Sequence, residues 1–220
     1  MEDGFTYISD EGDLSADSRR ELDETGFVVI PDAIGSEELS QKATAYDSLL
    51  LSASPQDIRV GSTTTRVGLA YGGPEFDSLC MLPTLLAACR HIIGQPIKLS
   101  SFHVRTLHPR SQAQRLHIDF RPGEERFPLA GFIYMIDDFR ADNGATGFLP
   151  GSHRWPSRPD ELTDESLTEF NDQIQTAVGR AGSLIVFHGS IWHEHTANLT
   201  DAPRRSIQGA FIPRDAPSAV

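Results

Sequence analysis

"KLSSFHVRTL", residues 98–107, marks the point where the chain changes character. Upstream of it the apolar residues recur at helical spacing. From here onward short runs of alternating or continuous apolar residues follow one another, split by Gly, Pro, Asn and Asp. The series continues with "RLHIDF" (115–120), "LAGFIYMID" (129–137), "TGFLPG" (146–151), "GSLIVFH" (182–188), "IWHEHTAN" (191–198) and "RRSIQGAFIP" (204–213). Only "TDESLTEFNDQI" (163–174) interrupts it as a helix candidate. Many short strands without regular intervening helices predict a mainly β, antiparallel sandwich or barrel.

Before this region, "GFVVI" (26–30) reads as a short buried strand and "SEELSQKATAYDSLL" (36–50) as a helix. In that helix Leu39, Ala43, Tyr46 and Leu50 share one face. "PTLLAACRHIIG" (83–94) reads as a second helix, with Pro83 in its first turn and Gly94 closing it. "RVGSTTTRVGLAYGG" (59–73) reads as a lid or a connector. The first 25 residues hold nine acids against Arg19 and Arg20 and predict a flexible acidic leader. Residues 26–220 are expected to form one domain.

A formal charge of −12 argues against nucleic acid or an anionic membrane surface as the main partner. No run is long and apolar enough to span a bilayer, and "MEDGFTYISD" (1–10) has no signal-peptide pattern. Cys80 and Cys89 suggest neither a disulfide framework nor a zinc site, so a reducing, cytoplasmic setting is expected.

In a strand, residues two apart share a face, so His117 and Asp119 point together and Ile118 points away. The pair can hold a metal ion if a third ligand arrives from elsewhere. His188, His193 and His195 all compete for that place. Two histidines and one carboxylate leave coordination positions open and suit non-haem Fe(II) better than zinc. Arg204, eleven residues after His193, offers a permanent, bidentate cation for the far end of a carboxylate cosubstrate.

These residues sit within blocks that resemble the phytanoyl-CoA dioxygenase family of Fe(II)- and 2-oxoglutarate-dependent oxygenases. The blocks are "AQRLHID" (113–119), "NGATGFLPGSHRW" (143–155), "GSLIVFHGSIWH" (182–193) and "NLTDAPRRS" (198–206). The resemblance implies a double-stranded β-helix, or jelly roll, with flanking N-terminal helices and iron held by His117, Asp119 and His193. It selects His193 over His195 by the spacing to Asn198 and Arg204. It also implies that Arg204, Gln114 and Thr146 bind 2-oxoglutarate, and that O2 is a cosubstrate. The implied reaction releases succinate and CO2 and hydroxylates a C–H bond of a small molecule. Desaturation, cyclisation and endoperoxide formation draw on the same cofactor chemistry. The carboxylate of Asp119 speaks against halogenation, because related halogenases lack it. A metal-binding jelly roll that senses a ligand without turnover is the alternative from another class.

Phe102, His103, Arg105, Phe120 and Trp192 are candidates for the substrate pocket. Each has a blander reading: His103 and Arg105 as a satisfied pair in the barrel wall, Trp192 with Trp155 as core aromatics. His188 reads as a turn cap or a substrate contact, and Ser152 with His153 as loop-fixing groups. Arg110, Arg115, Arg121 and Arg126 attract an anionic substrate or simply face water among Glu124 and Glu125. Substrate identity and oligomeric state are not encoded in any motif.

Overall fold

The computed structural model describes residues 14–69, 74–119 and 128–217. Its elements, in order, are α1 (Ala16–Thr25), β1 (Phe27–Ile30), α2 (Ser36–Ser52), β2 (Ile58–Val60), β3 (Thr64–Gly68), α3 (Asp77–Cys80), α4 (Pro83–Ile93), β4 (Ile97–Leu107), β5 (Ala130–Met135), β6 (Thr146–Phe148), α5 (Asp164–Thr168), β7 (Gln175–Ala177), β8 (Leu184–His188), β9 (His193–His195) and β10 (Arg204–Pro213). The strands make two antiparallel sheets. The major sheet has seven strands in the order β1-β8-β5-β10-β4-β3-β2, and the minor sheet has the order β7-β6-β9. This is the expected mainly β architecture, with α1 to α4 on one side.

The major sheet is covered on both faces, which explains the continuous apolar runs of β5 and β8. Phe132, Tyr134, Leu184, Val186, Phe102, Val104 and Ile207 point outward into a core shared with α1 to α4. The alternate residues Ile133, Met135, Ile185 and Phe187 point inward and pack with Phe148 and Ala177 of the minor sheet. Along β4 and β10 the same alternation turns His103, Arg105, Arg204, Ser206 and Gln208 away from the helical layer. A polar row thus lies inside an otherwise apolar sandwich. Gly131 makes room for the ring of its cross-strand partner on β8, since a Cβ there would lie 2.2 Å from Phe187.

A third cluster, Leu116, Leu149, Leu167 and Trp192, closes the outside of the minor sheet, joined by Ile118 and Phe170. The helix expected over 163–174 is broken here into α5 and a 3-10 turn at Asn171–Gln173. α4 begins at Pro83 and is capped by Gly94 at φ 71°, as its sequence signals indicate.

Three expectations need correction. The flexible leader does not extend to residue 25: Ser15 caps α1 through Ser18 N–H, and Leu14 and Leu22 are buried. Residues 1–13 lie outside the described residues. The stretch 59–73 is not a plain connector over its described part, because β2 and β3 pair with each other and extend the major sheet through β4; residues 70–73 lie outside the described residues. "RLHID" (115–119), the described part of "RLHIDF", does not form a regular strand. It runs beside β9 with one isolated bridge, His117 to His193, and with irregularly spaced backbone bonds from Gln114 to His195 and from Asp119 to Gly189.

Candidate metal centre

Residues 114–119 and β9 supply the groups that converge. Leu116 and Ile118 turn outward to the Trp192 cluster, so His117 and Asp119 turn inward, as alternation predicts. One ligand atom from each of His117, Asp119 and His193 lies within 4.8 Å of the other two. His193 Nε2 is 3.6 Å from Asp119 Oδ1, and the two imidazole centroids are 4.3 Å apart.

Tautomers follow from the backbone. His117 Nδ1 lies 3.0 Å from the Arg115 carbonyl, and His193 Nδ1 lies 2.9 Å from the Ile191 carbonyl. A carbonyl only accepts, so both Nδ1 atoms carry hydrogen. Both Nε2 lone pairs are left facing Asp119, which is the arrangement of metal-ligating histidines. Burial lowers His117 to about 3, helped by His193. For Asp119, burial opposes the charge, but His193, His117 and Arg105 outweigh it and hold the carboxyl below its usual range. At His193 burial opposes the charge, but Asp119 outweighs it and raises the imidazole, so a divalent cation there would displace a proton to leave two neutral imidazoles and one carboxylate.

Arg204 sits at the start of β10 and is 1% exposed. Its guanidinium lies 3.9 Å over the Phe139 ring, and its buried Nε and Nη1 have no hydrogen-bond partner among the described residues. Burial pulls it down to about 9, with Arg105 repelling it further. A buried guanidinium lacking a carboxylate is costly, and an incoming diacid would relieve that cost. Asn198, fully buried, holds the approach to this strand through bonds to the His108 and Ala202 carbonyls.

Gln114 lies between the triad and β4. Its Oε1 accepts from Arg105 Nη2 at 3.4 Å, and its Nε2 is 3.4 Å from His117 Nε2. Thr146, buried on β6, pairs across to His195. His195 is outside the triad: its Nε2 meets Thr63 Oγ1 at 3.3 Å, and its charged form is disfavoured first by burial and then by Arg105.

The pocket candidates divide. His103 and Arg105 face the interior beside the triad. Phe102 and Trp192 do not: Phe102 packs outward against Phe132, and Trp192 packs against Trp155 and Phe170 behind the minor sheet. Each sits next to an inward residue, His103 or His193, and alternation sends it to the opposite face. Phe120, Arg121 and Arg126 lie outside the described residues. Arg110 and Arg115 are surface groups paired with Asp201 and Asp164. His188 accepts at Nδ1 from Ser190 and caps its turn, and Ser152 Oγ bonds Leu149 O and Trp192 N. Sequence reasoning missed Arg66, an exposed residue that leaves the same face of the sheet at the outer edge of the row, and Gln208, which lines its buried part. The alternation of Thr64, Arg66 and Gly68 was the signal for the first.

Comparisons with known proteins agree with this layout. The chain is 34% identical over 109 residues to the dioxygenase cdmA of Talaromyces verruculosus, covering 46% of this chain and 35% of that one. It is 24% identical over 226 residues to the dioxygenase af480 of Aspergillus fumigatus, covering 89% and 65%. The chain thus spans less than two thirds of either curated relative. The crystal structure of HygX from Streptomyces hygroscopicus, with nickel, 2-oxoglutarate and hygromycin B bound, shares the fold at TM-score 0.77 and 19% identity, covering 93% of this chain and 90% of that one. Residues 22–206 match the phytanoyl-CoA dioxygenase family model, and the chain belongs to that family.

Proposed function

We propose that the protein is an Fe(II)- and 2-oxoglutarate-dependent dioxygenase that hydroxylates a C–H bond of a small molecule. The observation that carries this reading is the convergence of His117, Asp119 and His193 beside a buried, unpartnered Arg204. Bound iron and 2-oxoglutarate supply O2 activation coupled to release of succinate and CO2. The residues do the rest. His117 and His193 bind through Nε2 and Asp119 through its carboxylate. Arg204 anchors the distal carboxylate of 2-oxoglutarate, with the Phe139 face holding its plane. Gln114, turned by Arg105, presents an amide N–H to the metal side. Phe148 and Phe187, 5.9 and 5.1 Å from the His193 ring, keep water from its rear. Thr146 contacts the cosubstrate from β6. A cytoplasmic setting is part of the same reading, supported by the free thiols of Cys80 and Cys89.

The test is anaerobic addition of Fe(II) and 2-oxoglutarate, followed by air. A weak visible band and then succinate release are expected. Asp119→Ala removes or strongly reduces the band. An unchanged band in that variant contradicts the ligand set. A wild-type protein that gives neither band nor succinate is a non-catalytic binder instead.

A further inference from the structure

Arg66 and Arg105 are cross-strand partners on β3 and β4, so their side chains leave the same face of the sheet. Like charges directly opposite one another destabilise a sheet unless something lies between them. Arg105 also has a buried Nε without a partner, and His103, two residues along the same face, has a buried Nε2 without one. Burial, then Arg66 and Arg105, hold His103 down to about 4, so the imidazole is neutral and can donate. Beside His103 the register places Gly68, where an added Cβ would meet nothing within 4 Å. Among the described residues, the row therefore opens onto free space rather than onto a packed wall.

Charge counting says what belongs in that space. A ferrous ion brings two positive charges and Asp119 removes one. Arg66, Arg105 and Arg204 add three, and 2-oxoglutarate removes two. A surplus of two positive charges remains along this face, one of them on Arg66 at its exposed edge. Among the described residues, the carboxylate acting on Arg105 and His103 is Asp119, already committed to the metal. Arg204 and the 2-oxoglutarate end it serves account for only part of the cationic row.

The geometry points to a second anion-binding station, formed by Arg66, Arg105 and His103, that receives a carboxylate of the substrate. The substrate is thus a small organic acid, with the acid group docked on β3 and β4 and the oxidised carbon toward the triad. This rests on the dioxygenase reading of the site. It assigns the bidentate chemistry of arginine to substrate selection as well as to the cosubstrate.

The experiment uses the full chain loaded with Ni(II) and saturating 2-oxoglutarate, so that no turnover occurs. The probes are benzoate and hexanoate, each against its primary amide, followed by calorimetry and thermal shift at constant ionic strength. Saturable binding of the acids about ten-fold tighter than the amides is expected, with that preference lost in Arg66→Gln and retained in Arg66→Lys. In parallel, Arg66→Gln keeps 2-oxoglutarate affinity within about three-fold, whereas Arg204→Gln loses it. Equal binding of acids and amides, or no saturable binding of either, overturns the station. So does a loss of 2-oxoglutarate affinity in Arg66→Gln as large as in Arg204→Gln, which would assign the pair to the cosubstrate. Failure of the dioxygenase reading appears separately, as absence of the anaerobic Fe(II) and 2-oxoglutarate band in the wild type.

Discussion

Arg105 decides which way the Gln114 amide faces. Its Nη2 lies 3.4 Å from Gln114 Oε1, and its Nη1 lies 3.3 Å from Gln208 Oε1. A guanidinium only donates, so both glutamines turn their oxygens toward it. Gln114 is left with its NH2 toward His117 and the metal side, where it can bond a carboxylate. Gln114→Leu is expected to weaken 2-oxoglutarate binding about ten- to a hundred-fold, the loss of one hydrogen bond to a charged group. Titration of the anaerobic visible band measures it. Gln114→Glu loses more, because a carboxylate there repels the cosubstrate.

His193 and His195 share a face of β9, and only His193 stands within ligand distance of Asp119 and His117. His193→Ala should lower Fe(II) affinity at least about ten-fold more than His195→Ala. Calorimetric titration of metal into the apo proteins gives the order, and a reversed order assigns the wrong histidine.

Arg204 charges the folded state without a carboxylate beside it. Arg204→Leu is therefore expected to leave the apo protein as stable as the wild type, or more so. Metal and 2-oxoglutarate together should raise the wild-type melting temperature, and 2-oxoglutarate should add almost nothing to the variant. Metal binding alone stays intact. A large loss of apo stability in Arg204→Leu would show that the Phe139 contact outweighs the buried charge.

Gly131 is filled by the Phe187 ring, whose far side meets the His193 imidazole at 5.1 Å. Gly131→Ala should cost about 1–3 kcal/mol by overpacking. It should also broaden or shift the His193 ring signals in NMR spectra. Chemical denaturation measures the first effect, and unchanged stability would mean the sheet yields at this point.

His188 is held neutral, its value lowered to about 4 first by burial and then by His153. Its Nδ1 accepts from Ser190, a role that protonation removes. The unfolded chain, with an ordinary histidine, binds the proton more readily than the folded one. Stability from this site is therefore complete above the usual histidine range and falls as pH drops from about 6.5 toward 4. His188→Gln should flatten that part of the stability profile. Denaturation midpoints across the interval test it.

How far the sequence led depended on the kind of information each residue carries. His117 and Asp119 could be paired from the string because a two-residue spacing fixes a shared face, whereas Arg204 stood out only as a cation at a set distance from His193, and its burial over Phe139 was not encoded in that spacing. The β-sandwich was legible from its punctuation. Phe102 and Trp192 were misjudged because both faces of their strands are buried, and hydrophobicity alone does not say which face looks at a site. The β2–β3 hairpin was hidden in Ser, Thr and Gly, residues that loops share. α1 was masked by its acids, although Leu14 and Leu22 were available to anchor it.

The segment bearing His117 touches β9 through one isolated bridge and one further backbone bond, from Gln114 N–H to the His195 carbonyl. A cation gripped by both would act as a rivet across that seam, replacing the ladder the irregular backbone forgoes. Metal loss should then be felt as fraying along the seam. Amide protons of His117 and His193, each bonded to the other residue's carbonyl, would exchange slowly when the rivet is in place and quickly when it is drawn.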